Sequence, residues 1–244
     1  MFDDSSTSGQ LALGINLRDD ATFDNFLYSY ANNDLKHALS MQLDNTGEQI
    51  VYLHGVDGSG RSHLLQAACH EAEHKGRRSL YLPMQEIVSK PGALVLEGLE
   101  NLSLVCIDNV EVIAKNKQWE QELFHFINRA RAVNCKLLFS ASNVPGNIGI
   151  ELADLRSRLA WGLVFKIFLL VDDEQAVALK MRALGRGLIL SDEVVSYILS
   201  RSTRSLSSLL ELLEILDRAS MAEQRRLSIP FVRQYMDSIL GKDE

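Results

Sequence analysis

The amino-acid sequence predicts an α/β domain built on a parallel sheet, followed by a small all-helical domain. Three observations carry this. Short apolar runs alternate with helical patterns as far as Val171, and strand signals stop there. A glycine-rich loop, Gly55-Val-Asp-Gly-Ser-Gly-Arg-Ser62, lies between the first apolar run and the helical pattern that follows. Such alternation implies crossover connections and a parallel sheet covered on both faces.

Along the chain, residues 3–9 (Asp-Asp-Ser-Ser-Thr-Ser-Gly) are polar, and residues 1–20 read as a flexible tail. Gln49–His54 (QIVYLH) is the first strand, bounded by glycine, and residues 62–75 carry a helical pattern. Ser79–Leu82, Leu102–Ile107 and Lys136–Ser140 are the second, third and fourth strands. Before the fourth, Trp119, Leu123, Phe126, Ile127 and Ala130 recur at helical spacing. Leu163–Leu169, after Trp161-Gly162, is the fifth strand. Residues 171–244 read as three or four helices, with Leu206, Leu209, Leu210, Leu213 and Leu216 on one stripe. The domains expected are a tail (1–20), a base domain (21–170) and a helical domain (171–244).

Composition is ordinary for a globular chain: 244 residues, 46% hydrophobic and 23% charged. No apolar run reaches the ~18 residues of a spanning helix. The acidic start, Met-Phe-Asp-Asp-Ser-Ser, lacks the basic and apolar pattern of a signal peptide, so a cytoplasmic protein is expected. Cys69, Cys106 and Cys135 sit in apolar contexts without metal-ligand spacing and read as reduced core thiols. A net charge of −7 argues against duplex DNA as the main ligand.

The loop fits the phosphate-binding pattern GxxxxG-[KR]-[ST], in its expected place between strand and helix. Its glycines permit backbone angles closed to other residues and let amide N–H groups approach phosphate. The following helix adds the partial positive charge of its N-terminus. Ser62 would place its hydroxyl on a magnesium ion bridging the phosphates. The usual lysine is replaced by Arg61, a longer planar fork, which favours phosphate binding over γ-phosphate positioning for hydrolysis.

The third strand ends in Asp108, the position of a magnesium-supporting acid in phosphate-loop proteins. A second acid that would polarise water is expected beside it, but Asn109 stands there, with Glu111 two residues on. The fourth strand leads into Ser140-Ala-Ser-Asn143, where a polar side chain would lie beside the γ-phosphate. Turn chemistry before Pro145 is the alternative for Asn143. Arg156 and Arg158 are spaced so that they cannot face the same way on a helix: one is expected to pair locally, the other to project.

These residues together resemble the AAA+ ATPases of the bacterial replication-initiator group. Ala21-Thr-Phe-Asp-Asn-Phe26 looks like the first motif of DnaA-type domains, which packs near the nucleotide base and would bring in Phe23 and Phe26. Gly60-Arg-Ser-His-Leu-Leu65, Leu104-Val-Cys-Ile-Asp-Asn109, Ser157-Arg-Leu-Ala-Trp-Gly162 and Leu216-Asp-Arg-Ala-Ser220 are closest to the group's DnaA-related regulatory inactivators. The resemblance spans about residues 10–240. It implies an AAA+ base domain with a helical lid, ADP or ATP with Mg2+ as cofactors, and nucleotide contacts from Gly55, Asp57, Gly58, Ser59, Gly60, Arg61, Ser62 and His63. It implies magnesium at Ser62 and Asp108. It also implies two partners, DnaA and the β sliding clamp of DNA polymerase III, with a homo-oligomer left open.

Gln10-Leu-Ala-Leu13-Gly-Ile15 resembles a clamp-binding peptide, with Gln10, Leu11, Leu13 and Ile15 as anchors. Arg158 corresponds to an arginine finger acting in trans on the ATP of DnaA, and Asn143 or Ser142 to the first phosphate sensor. The second sensor arginine, expected after Leu206, is replaced by Ser207, and Arg204 lies nearby. The resemblance thus implies a regulator that stimulates hydrolysis of DnaA-bound ATP and prevents re-initiation, with weak or no hydrolysis of its own. A self-sufficient loader or remodelling ATPase is the alternative. The chain stops where DnaA proteins continue into a DNA-reading domain, so sequence-specific DNA binding is not expected.

Overall fold

Strand β1 (Ile50–His54) is buried at every position except His54, and its apolar composition reflects cover on both faces. The structure is a computed structural model and describes residues 17–18, 21–29, 32–201 and 206–240. Four further strands follow: β2 (Ser79–Pro83), β3 (Leu104–Asp108), β4 (Lys136–Ala141) and β5 (Leu163–Lys166). They form one sheet in the order β2-β3-β4-β1-β5, every neighbouring pair parallel. The central strands β3 and β4 are buried throughout, which is why they read as continuous apolar runs.

β5 ends at Lys166, short of the predicted Leu169. Its one neighbour, β1, ends opposite it at His54 and the chain there turns away at Gly55. The Ile167 N–H makes the last bond of the ladder, to the His54 carbonyl at 2.7 Å.

The helices of this unit are α1 (Asn33–Leu43), α2 (Arg61–His74), the short α3 (Met84–Ile87) and α4 (Gly92–Leu96), α5 (Lys117–Ala132) and α6 (Ala153–Leu159). All five apolar residues that predicted α5 are buried, and Asn116 caps that helix by accepting from the Trp119 N–H. Leu64, Leu65 and Cys69 of α2 join Tyr52, Val105, Leu138, Phe126 and Phe139 in one core. Each such side chain contributes about 1.5–3 kcal/mol by leaving water. The three cysteines are free and buried, and burial pushes the Cys135 thiol up to about 12.

The chain divides into compact units between Phe168 and Leu169. The second unit contains α7 (Asp172–Gly185), α8 (Asp192–Arg201), α9 (Leu206–Glu223) and α10 (Ile229–Leu240). Leu209, Leu213 and Leu216 of the predicted stripe are fully buried against Leu179, Ile198 and Phe231, with Leu206 and Leu210 at the margin. No helix among the described residues is long and apolar enough to cross a membrane.

Candidate nucleotide-binding site

The parallel register brings the carboxyl ends of β1, β3 and β4 to one rim, where Asp108 lies beside Ser140 and the Gly55 N–H bonds the Ala141 carbonyl. Gly55 passes so close to the end of β5 that a Cβ on it would lie 2.5 Å from the Ile167 carbonyl oxygen. Gly60 has φ of +93° and a Cβ there would meet the Phe26 ring at 2.6 Å. The loop geometry therefore requires glycine at both places. Helix α2 begins immediately at Arg61, and its first bond runs from the Leu64 N–H to the Gly60 carbonyl. The amides at 61–63 precede that first bond and face the loop, as at any helix start.

The motif before α1 closes over this loop. Phe26 lies on Gly60 and 5.7 Å from the His63 ring, and His63 bonds the Thr22 carbonyl at 2.8 Å. Phe23 is partly buried against the same core. Tyr28 packs edge-on against Phe26 at 4.8 Å.

Arg61 is buried and turned inward. Its Nη2 donates to Asp57 Oδ1 at 2.8 Å, and its Nη1 lies 3.9 Å from Glu111 Oε1. Asp57 is fully exposed, so the pair with it fixes direction more than stability. Three buried polar atoms here have no hydrogen-bond partner among the described residues: Ser59 Oγ, Arg61 Nη1 and Glu111 Oε2. A hydroxyl and a guanidinium N–H beside a glycine cradle at a helix start are donors, and they fit a polyphosphate.

The Asp108 carboxylate is almost fully buried and engaged on both oxygens. Tyr81 donates to Oδ2 at 2.6 Å, and Ser140 Oγ donates to Oδ1. Ser140 in turn accepts from the Asn109 N–H at 3.0 Å. Burial, with the charge of Asp108 beside it, pushes the Tyr81 hydroxyl well above its ordinary range. Among the described residues no cluster of three or more His, Cys, Asp or Glu is placed to hold a metal. Ser62 and Asp108 fit magnesium only if phosphate oxygens and water complete its shell.

Asn109 has φ 56° and ψ 52°, a left-handed conformation that asparagine tolerates better than most residues. Glu111 approaches the loop, accepting from the Ser142 N–H at 2.9 Å. Asn143 is exposed and its Oδ1 accepts from the Val144 N–H, the turn chemistry that was the alternative for it. Ser140, buried on Asp108, is the polar residue of this strand end closest to the acid network.

Arg156 and Arg158 diverge on α6. Arg156 donates to the Ile150 and Glu151 carbonyls at 2.6 and 2.9 Å. Arg158 lies half-buried over the Trp161 ring at 3.6 Å, with Phe124 5.7 Å away. Gly162 presses onto the start of β1, where a Cβ would fall 1.8 Å from the Ile50 carbonyl oxygen. Buried Glu120 holds the start of α6: its carboxylate accepts from the N–H groups of Glu151, Leu152 and Lys115.

Tyr81 and Glu120 escaped the sequence reading, one because it sits within an apolar strand and the other because it is a charge on a helix. The clamp-peptide residues Gln10, Leu11, Leu13 and Ile15, and Arg204, lie outside the described residues. Ser207 falls within α9, near its start.

A family model of the bacterial DnaA ATPase domain matches residues 17–166, and a model described as Hda, lid domain, matches residues 172–236. Among solved structures, domain III of the Thermotoga maritima replication initiation protein DnaA is similar at 19% identity with a TM-score of 0.76, covering 89% of this chain and 95% of that one. The AMPPCP-bound DnaA of Aquifex aeolicus is similar at 21% identity with a TM-score of 0.70, covering 82% of this chain and 66% of that one. The Thermotoga maritima RuvB Holliday junction branch migration motor is similar at 18% identity with a TM-score of 0.69, covering 92% and 73%.

Proposed function

From the premise that the chain belongs to the bacterial DnaA ATPase-domain family and carries an Hda-type lid, we propose that it is a nucleotide-bound regulator of replication initiation. It attaches to the β sliding clamp through Gln10, Leu11, Leu13 and Ile15 and stimulates hydrolysis of ATP held by DnaA. The observation that carries this is Arg158: a guanidinium on an exposed tryptophan, with no carboxylate partner among the described residues.

In this reading the amides of Gly58–Ser62 and the Ser59 hydroxyl bind the chain's own ADP or ATP, and Phe23 and Phe26 cover the base. Arg61 binds phosphate from its place beside Asp57. Ser62, and Asp108 through water, would hold a magnesium ion, which would neutralise phosphate charge. Among the described residues, Asn109 beside Asp108 is not an acid, and one oxygen of Glu111 faces Arg61 and the Ser142 amide. Intrinsic hydrolysis is therefore slow, which weighs against a self-sufficient motor. Arg158 acts on the neighbour, neutralising charge that develops on the transferred phosphoryl group; such fingers are worth about 10³–10⁵ in rate.

The test is hydrolysis of DnaA-bound ATP in the presence of clamp loaded on DNA. Arg158→Ala is expected to abolish stimulation while the protein still binds clamp. Leu11→Ala with Leu13→Ala is expected to abolish clamp capture. Full stimulation by Arg158→Ala, or rapid single-turnover hydrolysis by the isolated protein, would overturn the proposal.

A further inference from the structure

Tyr28 lies two residues past Phe26 and is one aromatic ring removed from the phosphate loop. Its ring stands edge-on to Phe26 at 4.8 Å, and Phe26 in turn covers Gly60 and lies 5.7 Å from the His63 ring. The Lys36 ammonium, carried by α1, sits 5.6 Å from the Tyr28 ring centroid. Phe26 and Tyr28 both pack against the main core. A ring held on several sides has few rotamers open to it, so its hydroxyl is kept in place.

That hydroxyl is buried, yet it has no hydrogen-bond partner among the described residues. Such a group costs stability until something bonds it, and native proteins leave few of them without a reason. Of the five side-chain atoms of this kind among the described residues, three others, Ser59 Oγ, Arg61 Nη1 and Glu111 Oε2, border the phosphate loop. Burial pushes the Tyr28 hydroxyl well above the ordinary tyrosine range, so it stays protonated and can both donate and accept.

We propose that the Tyr28 hydroxyl is the base-reading group of the nucleotide site: it hydrogen-bonds the polar edge of the base of a nucleoside diphosphate whose phosphates lie on the loop. This rests on the nucleotide-binding role proposed above and adds the group that makes it selective. Phe23 and Phe26 offer apolar surface, which accepts every base alike, whereas a hydroxyl discriminates. A base that cannot meet it leaves a buried polar group unpaired, and sites of this kind reject mismatched ligands far more strongly than apolar pockets do.

The experiment uses the full chain stripped of nucleotide. ADP, GDP, CDP, UDP and pyrophosphate are titrated by calorimetry into the parent and into Tyr28→Phe. The parent should bind the four nucleotides unequally, and Tyr28→Phe should bind the tightest of them about tenfold more weakly, the loss of one hydrogen bond. The variant should bind pyrophosphate, which has no base, as the parent does. Because the hydroxyl has no described partner to lose, nucleotide-free Tyr28→Phe should unfold at a urea midpoint no lower than the parent's. A parent that binds the four alike, or a variant that keeps the parent's ranking and affinities, overturns the role of Tyr28 and leaves the nucleotide site standing. Equal weakening of every ligand, pyrophosphate included, or a lowered urea midpoint, makes the hydroxyl a structural group and also overturns the proposal. If the parent binds none of the four, the nucleotide site itself falls, and the base-reading role with it.

Discussion

Replacing Glu120 by alanine should loosen the helix that carries Arg158. The Glu120 carboxylate is 2% exposed and accepts from three backbone amides. Lys115 N lies 2.8 Å from Oε1, Leu152 N lies 2.7 Å from Oε2, and Glu151 N lies 3.1 Å from each oxygen. Removing the acceptor strands three N–H groups, each worth about 1–3 kcal/mol when left buried and unpaired. Water entering the vacated space will satisfy part of this, so the net loss expected is about 3–5 kcal/mol. For a chain of this size that corresponds to a fall of about 6–20 °C in melting temperature. Urea unfolding followed by the fluorescence of Trp119, whose indole N–H bonds the Val88 carbonyl in the same unit, measures the change at that site. Hydrogen exchange at residues 151–159 should accelerate ahead of β3 and β4. A loss below about 1 kcal/mol, or exchange in 151–159 no faster than in the parent, would refute the reasoning.

Three other perturbations test the rim of the sheet. Gly60→Ala places a Cβ against Phe26 at positive φ, and should cost about 1–3 kcal/mol and weaken nucleotide retention by equilibrium dialysis; unchanged retention would count against the loop. Tyr81→Phe removes one of two donors to Asp108 and should cost about 1–3 kcal/mol in urea unfolding, whereas a stability equal to the parent would show that water replaces the hydroxyl. Burial, together with the charges of Lys166 and Arg61, lowers the pKa of His54. The unfolded chain therefore binds this proton first, and stability should fall as pH drops below the ordinary histidine value near 6.5. His54→Gln should flatten that acid limb, and an identical pH profile would exclude His54 as its source.

Strands were legible wherever burial on both faces imposed an unbroken apolar run, as in β3 and β4. The end of β5 was not, because it depends on where β1 stops and not on the residues Ile167–Leu169 themselves. The phosphate loop was legible because its glycines, its strand and its helix all leave local signals. Asn109 stands where an acid was expected, and its left-handed backbone is a feature that spacing does not reveal. Tyr81 alternates with leucines in β2 and reads as core; only the fold sets its hydroxyl on Asp108. Glu120 reads as a solvated helix charge, because the segment that buries it arrives about thirty residues later in the chain.

The tight seat of Gly162 on Ile50 gives β1 a property of its own. At its His54 end the strand launches the nucleotide loop, and at its Ile50 end it backs the segment bearing Trp161 and Arg158. The two ends are about 13 Å apart at the usual rise of an extended strand. A five-residue strut of this kind works as a gauge block: it sets the spacing between the glycine loop and the turn that carries Trp161. A register slip in β1 would therefore spoil both ends at once.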